Sequence, residues 1–431
     1  MTADHYDVII VGGRCAGASL AVRLAKANFR VLLVDRAVFP SRPNVPSAPY
    51  IHSGTMRLLD ELGVPEPDYA QPGSQIERFI VDFANGAVSE MPVANGNLPS
   101  PYFLGVDRAC FDHALWKHAA RYPTITALQG FAVTHILKDS AGKATGIQGR
   151  LAASEQRFTA DLVVGADGRF SFCARQFGAK VIEEKNQHTS ASYVAEFANV
   201  DDYSPQYPHA VTTYNTGKGL MILMIPIGER AYHIGMATQT QKASFGEQGH
   251  ETAYMDGLKR ISHLWGRLQQ AQRVTPVVGI KRVENGYRQS HGLGWALAGD
   301  AAHYKDPSDG QGIYDALLGT KLLASAIAEW KGGGMAWEAA GAQYQQALWQ
   351  ATHPMFLQTV ANVRQSLYTR MPDFLFRLVG RGLMNNELFK RQFLRYVARE
   401  IEPREFQQTM KKLPRLMAQE ALSGFLRQPG R

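Results

Sequence analysis

The stretch "YDVIIVGGRCAGASLAVRLAKANFRVLLVD", residues 6–35, gives the clearest indication of the fold. A continuous apolar run ends in glycines, a segment with helical spacing of its apolar residues follows, and a second apolar run ends at Asp35. Two strands that flank a helix within about thirty residues predict a βαβ unit whose first turn binds a dinucleotide.

The turn between the first strand and the helix departs at one position from the pattern Gly-x-Gly-x-x-Gly. Arg14 stands where the middle glycine belongs, between Gly12 and Gly17. We expect Arg14 to keep a helical or bridge backbone, with its guanidinium directed either toward the pyrophosphate of the dinucleotide or out to solvent. The residues of this turn predicted to contact the dinucleotide are Gly12, Gly13, Arg14, Ala16 and Gly17.

Asp35 ends the second strand, 18 residues after Gly17. A carboxylate at this place in a βαβ unit accepts hydrogen bonds from the adenosine ribose. Asp35 is therefore a predicted cofactor contact, with an ordinary acid at a strand end as the alternative.

The chain has 431 residues, of which 45% are hydrophobic and 19% charged, a balance typical of globular proteins with two or three domains. Its three cysteines, Cys15, Cys110 and Cys173, lack the spacing of a zinc site or a disulfide framework. We therefore expect a reducing compartment and no metal. The N-terminal apolar run is too short for a signal peptide, and no stretch reaches the roughly 18 apolar residues of a membrane span. These features predict a cytoplasmic protein.

All of the net charge of +8 belongs to the C-terminal part of the chain. Residues 361–431 contain 14 Lys and Arg against 6 Asp and Glu, whereas the first 360 residues contain 32 of each sign. Apolar residues recur there at helical spacing, as at Phe389, Phe393, Val397 and Ile401. The basic residues therefore predict the solvated face of helices. Contact with an anionic membrane surface or a lipophilic substrate is the alternative, and nucleic acid is not expected as a partner.

Changes in composition and in the spacing of apolar residues along the chain predict an α/β fold in three parts. A long loop rich in Pro and Ser (36–54) follows the βαβ unit, and short alternating strands from about 181 to 285 predict an antiparallel sheet. Beyond residue 351 the spacing is helical. The predicted parts are a discontinuous Rossmann-like domain (1–75, 101–180 and 286–350), an inserted β-rich substrate domain (76–100 and 181–285) and a basic C-terminal helical region (351–431).

Two further motifs combine a strand end with glycines. "LVVGADGRFSFCAR" (162–175) breaks into a turn at Asp167 and Gly168. In "WALAGDAAHYKDPSDGQGIYDALLGTKLLASAIAEW" (295–330) a strand ends at Asp300 and glycines open a long helix. Exposed N–H groups and the dipole at such a helix start suit the edge of an isoalloxazine ring that becomes negative on reduction. The predicted contacts in this third motif are Asp300, Pro307, Gly310, Gln311 and Gly312.

These three motifs, in this order from residue 8 to about 325, resemble those of the flavoprotein monooxygenases of the para-hydroxybenzoate hydroxylase type, which are related to geranylgeranyl reductases and flavin-dependent halogenases. The resemblance implies FAD as the cofactor. The first motif would hold the ADP part, the second would contact FAD and a passing nicotinamide cofactor, and the third would hold the ribityl chain and pyrophosphate. The resemblance also places Arg108, in "GVDRACFDHAL", at the flavin's phosphate or ribityl region. Arg36 and Val133 complete the candidate FAD contacts.

The resemblance implies hydroxylation of an aromatic or lipophilic small molecule with NADPH or NADH and O2, through a flavin C4a-hydroperoxide. A second Gly-x-Gly-x-x-Gly after a strand does not occur in the sequence, which favours transient docking of the nicotinamide cofactor. The Trp-x-Trp-x-Ile-Pro motif usual in halogenases is also missing from it, which counts against halogenation. Reduction of C=C bonds remains an alternative, and a non-catalytic escort that binds FAD or a prenyl group is a third. The oligomeric state is open.

A phenolic substrate would gain from a base near neutral pH. His52, Tyr50 and His303 are the candidates for such a catalytic role, with packing behind the flavin loop as the alternative for His303 and an ordinary loop histidine as the alternative for His52. The apolar strands "GLMILMIPIG" and "AYHIGMA" could roof the pocket. Tyr214, Tyr232 and Met224 are the predicted wall residues, with the core of the sheet as their alternative.

Overall fold

The computed structural model describes residues 4–83, 87–243, 249–370, 372, 374, 376, 382 and 385–413. The described strands are, in chain order, β1 His5–Val11, β2 Val31–Asp35, β3 Tyr50–Ile51, β4 Gln75–Ile76, β5 Arg78–Asp82, β6 Val88–Pro92, β7 Phe103–Gly105, β8 Ile125–Gln129, β9 Phe131–Lys138, β10 Ala144–Leu151, β11 Ser154–Gly165, β12 Val181–Glu184, β13 Ser190–Ala198, β14 Val211–Asn215, β15 Leu220–Gly228, β16 Ala231–Gln239, β17 Gln272–Arg273, β18 Val278–Ile280, β19 Gly286–Arg288, β20 His291–Gly292, β21 Trp295–Leu297 and β22 His303–Tyr304.

The described α-helices are α1 Cys15–Lys26, α2 Ser53–Leu62, α3 Arg108–Ala119, α4 Phe172–Phe177, α5 Gly249–Lys259, α6 Ser262–Arg267, α7 Gly312–Lys331, α8 Trp337–Val363 and α9 Glu387–Val397. Residues 403–413 are also helical. Short 3₁₀ turns lie at Glu66–Asp68, Val93–Gly96, Thr240–Lys242, Gly299–Ala301 and Pro307–Asp309, and a π-helical turn lies at Arg364–Tyr368.

The first sheet has a parallel core in the order β21-β11-β1-β2-β8, which confirms the predicted α/β fold. β1 lies at its centre and pairs with β11 on one side and β2 on the other, so its apolar run is buried. The antiparallel strands β9 and β10 continue from β11. The parallel arrangement brings the carboxyl ends of β1, β2, β11 and β21 to one edge, where binding sites of such sheets lie.

The second sheet has the order β17-β13-β16-β15-β14-β5-β6 and is antiparallel except where β14 runs parallel to β5. The antiparallel sheet predicted for residues 181–285 is therefore present, with β5 and β6 added to its edge. The helices α5 and α6 inside this stretch were not predicted. They cover one face of the sheet through Tyr254, Leu258 and Leu264, which pack into the same buried cluster as the strands.

A small three-stranded sheet, in the order β3-β7-β4, packs on the second large sheet where β7 passes β15. A Cβ on Gly105, at the end of β7, would lie 1.6 Å from the carbonyl oxygen of Pro226 on β15. Only a glycine permits this approach, because any side chain would overlap backbone. β7 also pairs with β3 and β4, so the loop that contains β3 is attached to the second sheet.

The C-terminal part packs on the rest of the chain through its apolar residues. α8 runs across the predicted boundary at residues 350 and 351. Phe389, Val397 and Ile401 are buried in one cluster with residues of β5, β6 and β7, so the apolar side of α9 is covered by the protein itself. The end of the predicted helical region, 414–431, lies outside the described residues. Among the residues that are described, a helix long and apolar enough to cross a bilayer does not occur.

We expect the substitution Gly17→Ala to destabilise the fold strongly. A Cβ at this position in α1 would lie 1.7 Å from the carbonyl oxygen of Gly12, and backbone cannot retreat as a flexible side chain could. The free energy of unfolding, measured by urea denaturation, should fall by about 3 kcal/mol. Gly266→Ala in α6 is the matched control, since nothing lies within 4 Å of its Cβ position. Equal stability of the two variants would contradict the prediction.

Candidate functional site

The turn after β1 is built from backbone that approaches backbone. Gly12 has a φ of +105°, and a Cβ on it would lie 2.4 Å from the carbonyl oxygen of Ala166, at the end of β11. Its N–H donates to Val34 O at 2.8 Å. Gly13 N donates to Asp35 Oδ2 at 2.7 Å. The first and second motifs are therefore in direct contact, and the end of β2 is bound to both by way of the turn.

Asp35 uses both carboxylate oxygens inside the protein. Oδ2 accepts the N–H of Gly13, and Oδ1 accepts the N–H of Ala37 at 2.8 Å. Each oxygen of a carboxylate can accept a further hydrogen bond, so the ribose contact stays a prediction. Arg36, the next predicted contact, is exposed beside it.

The prediction for the Arg14 backbone is wrong. Arg14 is extended, with φ −80° and ψ −159°, because it is the N-cap of α1 and precedes the first helical residue. Its guanidinium does not extend into solvent either. Nη1 donates to Asp112 Oδ2 at 2.5 Å and to Ser41 O at 2.8 Å, and Nη2 donates to Arg42 O at 3.1 Å. Arg14 thus attaches the loop 36–54 to α3, and its contact with the pyrophosphate remains a prediction.

Asp112 on α3 is a site residue that sequence reasoning missed. It is fully buried and accepts from Arg14, from Arg108 Nη2 at 3.0 Å on both oxygens, and from the thiol of Cys15 at 3.3 Å. One carboxylate between two guanidinium groups leaves the cluster with a net positive charge, which suits a phosphate. Burial raises the pKa of Cys15 to about 12, so its thiol stays protonated. The spacing of Arg108 and Asp112, one helical turn apart, was the signal available in the sequence.

The second motif presents open backbone at Gly168. Its φ is +82°, and nothing lies within 4 Å of its Cβ position. Asp167 turns toward α4 instead: its Oδ1 accepts from the hydroxyl of Ser171 at 2.5 Å and its Oδ2 from the N–H of Cys173 at 3.0 Å. The predicted contacts of Asp167 and Gly168 with FAD and a nicotinamide cofactor stay predictions.

The buried Arg169 connects the second motif to the third, although no pattern in the sequence indicated this role. Its Nη2 donates to Lys305 O at 2.5 Å, and its Nε lies 3.8 Å from Asp300 Oδ2. The side chain of Asp300 is 42% exposed, so this carboxylate is open to a ligand. Ala16 of the first motif packs against Gly299, whose Cβ position is 2.8 Å from the Ala16 Cβ. All three motifs therefore meet at one place.

The start of α7 forms the far end of the site. Pro307 begins a 3₁₀ turn, and Gly310 follows with a φ of +67° and the ring of Tyr50 packed against it. Gly312, the first residue of α7, is exposed and has nothing within 4 Å of its Cβ position. Gln311 is 2% exposed, its side-chain amide bonds to Val397 and Arg399, and its backbone N–H donates to Asp309 Oδ1 at 3.0 Å, so its contact with a cofactor stays a prediction. The N–H groups of this helix start face open space at Gly312.

Val133 lies on β9, half-buried against the core of the first sheet and paired with Gly149 of β10. This position is outside the parallel core, and its predicted contact with the cofactor stays a prediction.

The residues at the meeting point fit FAD. Two helix starts, at α1 and α7, present N–H groups, and Gly168 and Gly312 leave space that a Cβ would fill. The positively charged cluster around Asp112 lies beside the first helix start, where a pyrophosphate would carry its charge. Asp300 offers an open acceptor for the hydroxyls of a ribityl chain.

The structure argues against His52 and His303 as catalytic bases. His52 follows β3 and is the buried N-cap of α2, with its ring centroid 5.2 Å from that of Tyr314. His303 on β22 is buried and stacks on Tyr287 at 4.3 Å. Burial lowers the pKa of each to about 3, which makes them poor proton acceptors near pH 7. Tyr50 is also buried, and burial raises its pKa. The catalytic roles predicted for these three residues therefore lack structural support.

A pocket with about 380 Å³ of empty space, its open mouth included, lies between the second sheet and the loop that leads to α7. The predicted strands β15 and β16 do form its wall. The residues that line it are Ser47, Ala48, Ser192, Val194, Met221, Leu223, His233, Gly235, Met236, Ala237, Asp306, Pro307 and Ser308. The prediction for Tyr214, Tyr232 and Met224 is wrong, because alternate residues of a strand face opposite sides and these three are buried against α5 and α6.

His233 is the pocket histidine, and sequence reasoning gave it no role. It lies on β16, and its Nε2 is 2.8 Å from the carbonyl oxygen of Ser47, to which it donates. Across the sheet it is paired with Glu196 of β13, whose carboxylate accepts from Arg42 Nε at 2.7 Å. Although burial alone would raise the pKa of Glu196, His233 and Arg42 hold it below its usual value. Among the residues that the structure describes, no group of His, Cys, Asp and Glu is placed to hold a metal.

We expect Asp112→Asn to destabilise the protein without bound flavin by about 3 kcal/mol, because it leaves two partly buried guanidinium groups without their buried carboxylate. The free energy of unfolding from urea titrations of flavin-free protein measures the effect. Asp60→Asn, an exposed position on α2, removes the same charge without breaking an ion pair and is the control. If both variants unfolded at the same urea concentration, the ion cluster would not hold this part of the fold.

Comparison with known proteins supports the same assignment. Residues 5–347 match the family model described as an FAD binding domain. The chain is 23% identical over 350 residues to a 1H-pyrrole-2-carbonyl-(peptidyl-carrier protein) chlorinase from Pseudomonas fluorescens, which covers 76% of this chain and 77% of that protein. It is 25% identical over 348 residues to a digeranylgeranylglycerophospholipid reductase from Methanosphaerula palustris, which covers 79% and 81%.

Among solved structures, p-nitrophenol 4-monooxygenase from Pseudomonas putida shares the fold with a TM-score of 0.73 at 17% identity, over 91% of this chain and 97% of that one. These proteins carry out different reactions on one architecture, so the likeness does not select a reaction. The match over residues 5–347 confirms the resemblance that the three motifs predicted. The chain belongs to the FAD binding domain family and is an FAD-dependent oxidoreductase.

Proposed function

We propose that this oxidoreductase is a monooxygenase that hydroxylates a small aromatic or lipophilic compound, with NADPH or NADH as electron donor and O2 as oxidant. The observation that carries the proposal is the position of the pocket. Pro307 and Ser308 belong both to its wall and to the loop that leads to the start of α7, where the flavin ring is predicted to lie. A compound in the pocket would therefore lie next to the reactive part of the cofactor.

Bound FAD would supply the redox chemistry, taking a hydride from the nicotinamide and activating O2 for transfer of one oxygen atom. The chain supplies the place in which this happens. Val194, Met221, Leu223 and Ala237 give the pocket an apolar wall that holds an aromatic ring and keeps water away from it. A wall of this kind would keep water away from the place where bound FAD would activate O2.

A few polar groups in the pocket would orient the substrate. The hydroxyls of Ser47, Ser192 and Ser308 and the imidazole of His233 lie among the apolar residues. His233 is held in place by its bond to Ser47 O, so its ring is a fixed point of reference for a ligand. This pattern of a mainly apolar pocket with few polar groups is typical of sites for small molecules.

Reduction of a C=C bond is the second candidate, since a relative is named as a digeranylgeranylglycerophospholipid reductase. Halogenation is the third, since another relative is named as a chlorinase, although the Trp-x-Trp pair expected of halogenases does not occur in this sequence.

We expect the purified protein to be yellow and to oxidise NADPH or NADH faster when a phenol or a polycyclic aromatic from a panel occupies the pocket. Hydroxylated product should form in step with O2 consumption and should carry one atom of ¹⁸O from ¹⁸O2. The measurement combines absorbance of the flavin, oxygen electrode traces and mass spectrometry of the product.

The same experiment without O2 separates the alternatives. A reductase would turn over anaerobically and leave the product without ¹⁸O, and a halogenase would need added chloride or bromide. A protein whose flavin is never bleached by NADPH or NADH, with or without aromatic compounds, would be an escort. Each of these outcomes would contradict the proposal.

We expect Gly235→Leu to fill the pocket and abolish the acceleration of flavin reduction by the substrate. Gly235 lines the pocket on β16, and the nearest atoms to its Cβ position are at 3.7 Å and 3.8 Å, so a side chain can be added there. The content of bound FAD should not change, since no residue of the three motifs is touched. Gly235→Ala, a smaller addition, should keep most of the acceleration. If Gly235→Leu responded to the substrate as the parent protein does, the substrate would bind elsewhere.

A further inference from the structure

Arg399 lies beyond the matched FAD binding domain, which ends at residue 347, yet its side chain is buried against the start of α7. It is 6% exposed. Its Nε donates to Gln311 Oε1 at 2.7 Å, its Nη2 lies 2.6 Å from Asp315 Oδ1, and its guanidinium lies over the ring of Tyr314 at 4.9 Å. The side chain of Arg399 therefore contacts the N-cap of α7 and two residues near the start of this helix.

The backbone before Arg399 holds the same helix start. Val397 O accepts from Gln311 Nε2 at 3.0 Å, so the amide of Gln311 is bound at both of its ends by residues 397–399. The carbonyl oxygen of Ala398 packs on α2, where it lies 2.8 Å from the Cβ position of Gly54. Residues 397–399 are thus wedged between α2 and the residue that caps α7.

The backbone of Arg399 is in a conformation that favours glycine. α9 ends in a Schellman motif: the N–H of Arg399 donates to Tyr396 O at 3.1 Å and the N–H of Glu400 donates to Arg395 O at 2.8 Å. Arg399 occupies the position after the cap with a φ of +60°, where glycine is the usual residue. The backbone alone would be better served by glycine, so the presence of arginine points to its side chain.

The charges around Arg399 balance. Asp315 Oδ2 lies 2.8 Å from Lys305 Nζ, which also lies 2.7 Å from Asp309 Oδ2. With Arg399 the cluster contains two cations and two anions, all of them buried. Although burial alone would raise the pKa of the Asp315 carboxyl, Lys305 and Arg399 lower it to about 2. Removal of Arg399 would leave one buried negative charge at the helix start.

We propose that Arg399 is a positioning residue of the flavin site: it fixes the first turn of α7 and neutralises the carboxylate of Asp315 behind the N–H groups that meet the flavin. The inference rests on the placement of FAD at this helix start. Reduction of the flavin adds negative charge at that edge. An uncompensated carboxylate behind it would disfavour the reduced form, and a displaced Gln311 would weaken the binding of FAD.

Arg399→Gly tests the proposal, because it removes the side chain and suits the backbone. We expect the dissociation constant for FAD, measured by calorimetry on flavin-free protein, to rise at least about tenfold, which corresponds to about 1.4 kcal/mol. The midpoint potential of the bound flavin, measured by equilibration with redox dyes, should become more negative. Arg391→Gln, an exposed position on α9, removes the same charge and should leave both quantities unchanged.

A role in the turn alone predicts that Arg399→Gly binds FAD as the parent protein does with an unchanged potential, and this result would overturn the proposal. Arg399→Gln and the double variant Arg399→Gln with Asp315→Asn test the charge separately. The midpoint potential of the double variant should be less negative than that of Arg399→Gln, because the uncompensated carboxylate is gone. Equal midpoint potentials in the two variants would overturn the proposal that Arg399 neutralises Asp315. If Arg399→Gly failed to fold, this pair would decide.

These measurements need neither substrate nor O2. A protein that shows the expected shifts but hydroxylates nothing would refute the proposed function and leave the role of Arg399 standing. If the parent protein hydroxylates a substrate but Arg399→Gly leaves the dissociation constant for FAD and the midpoint potential unchanged, the proposed function would stand and the role of Arg399 would be refuted.

Discussion

At the end of β1, backbone packs directly against backbone, and this contact fixes how the three motifs are arranged. Gly12 lies against Ala166, and Gly17 lies against Gly12, at distances that leave no room for a Cβ. Because these atoms touch, the end of β11 and the start of α1 share one edge of the sheet. The loop around Asp300 reaches the same edge through Gly299 and Ala16. A space shaped for an extended cofactor is the result.

Two groups of charged side chains, each centred on a buried carboxylate, lie at the two ends of that space. At one end Asp112 joins Arg14 and Arg108, and at the other Lys305 and Arg399 hold Asp315. Buried ion pairs add little net stability, because the cost of removing charges from water offsets their attraction. Their effect here is geometric: each cluster connects parts of the chain that are far apart in sequence and makes one arrangement of them much better than any other.

The parts of the fold that the sequence predicts are those fixed by short-range patterns. The order β1, α1, β2 follows from apolar runs and glycines within about thirty residues, and the start of α7 follows from glycines after a strand. The backbone of Arg14 was wrongly predicted because α1 begins one residue later, at Cys15, and its side-chain partner was missed because Asp112 is far away in the chain. The contacts of Arg399 with Gln311 and Asp315 were missed for the same reason, because these residues are also far apart in the chain.

The pocket could be placed on the right strands but not on the right residues. "GLMILMIPIG" is apolar at almost every position, so the sequence contains no signal for which alternate residues face the pocket. The burial of His303 agrees with the alternative that it packs behind the loop, whereas that of His52 was missed, because a histidine in a loop and one in a core look the same in a sequence. Partners distant in the chain decide all of these cases.

The division of β15 between two faces has an evolutionary consequence. Met221 and Leu223 face the pocket, whereas Ile222 and Met224 pack against the helices behind the sheet. Neighbouring residues of β15 therefore have separate roles. Substitution of the pocket residues can change what the pocket binds, while the residues that pack on the helices keep the fold stable. A sheet of this kind lets a lineage exchange one substrate for another by a few replacements, with its redox apparatus inherited unchanged.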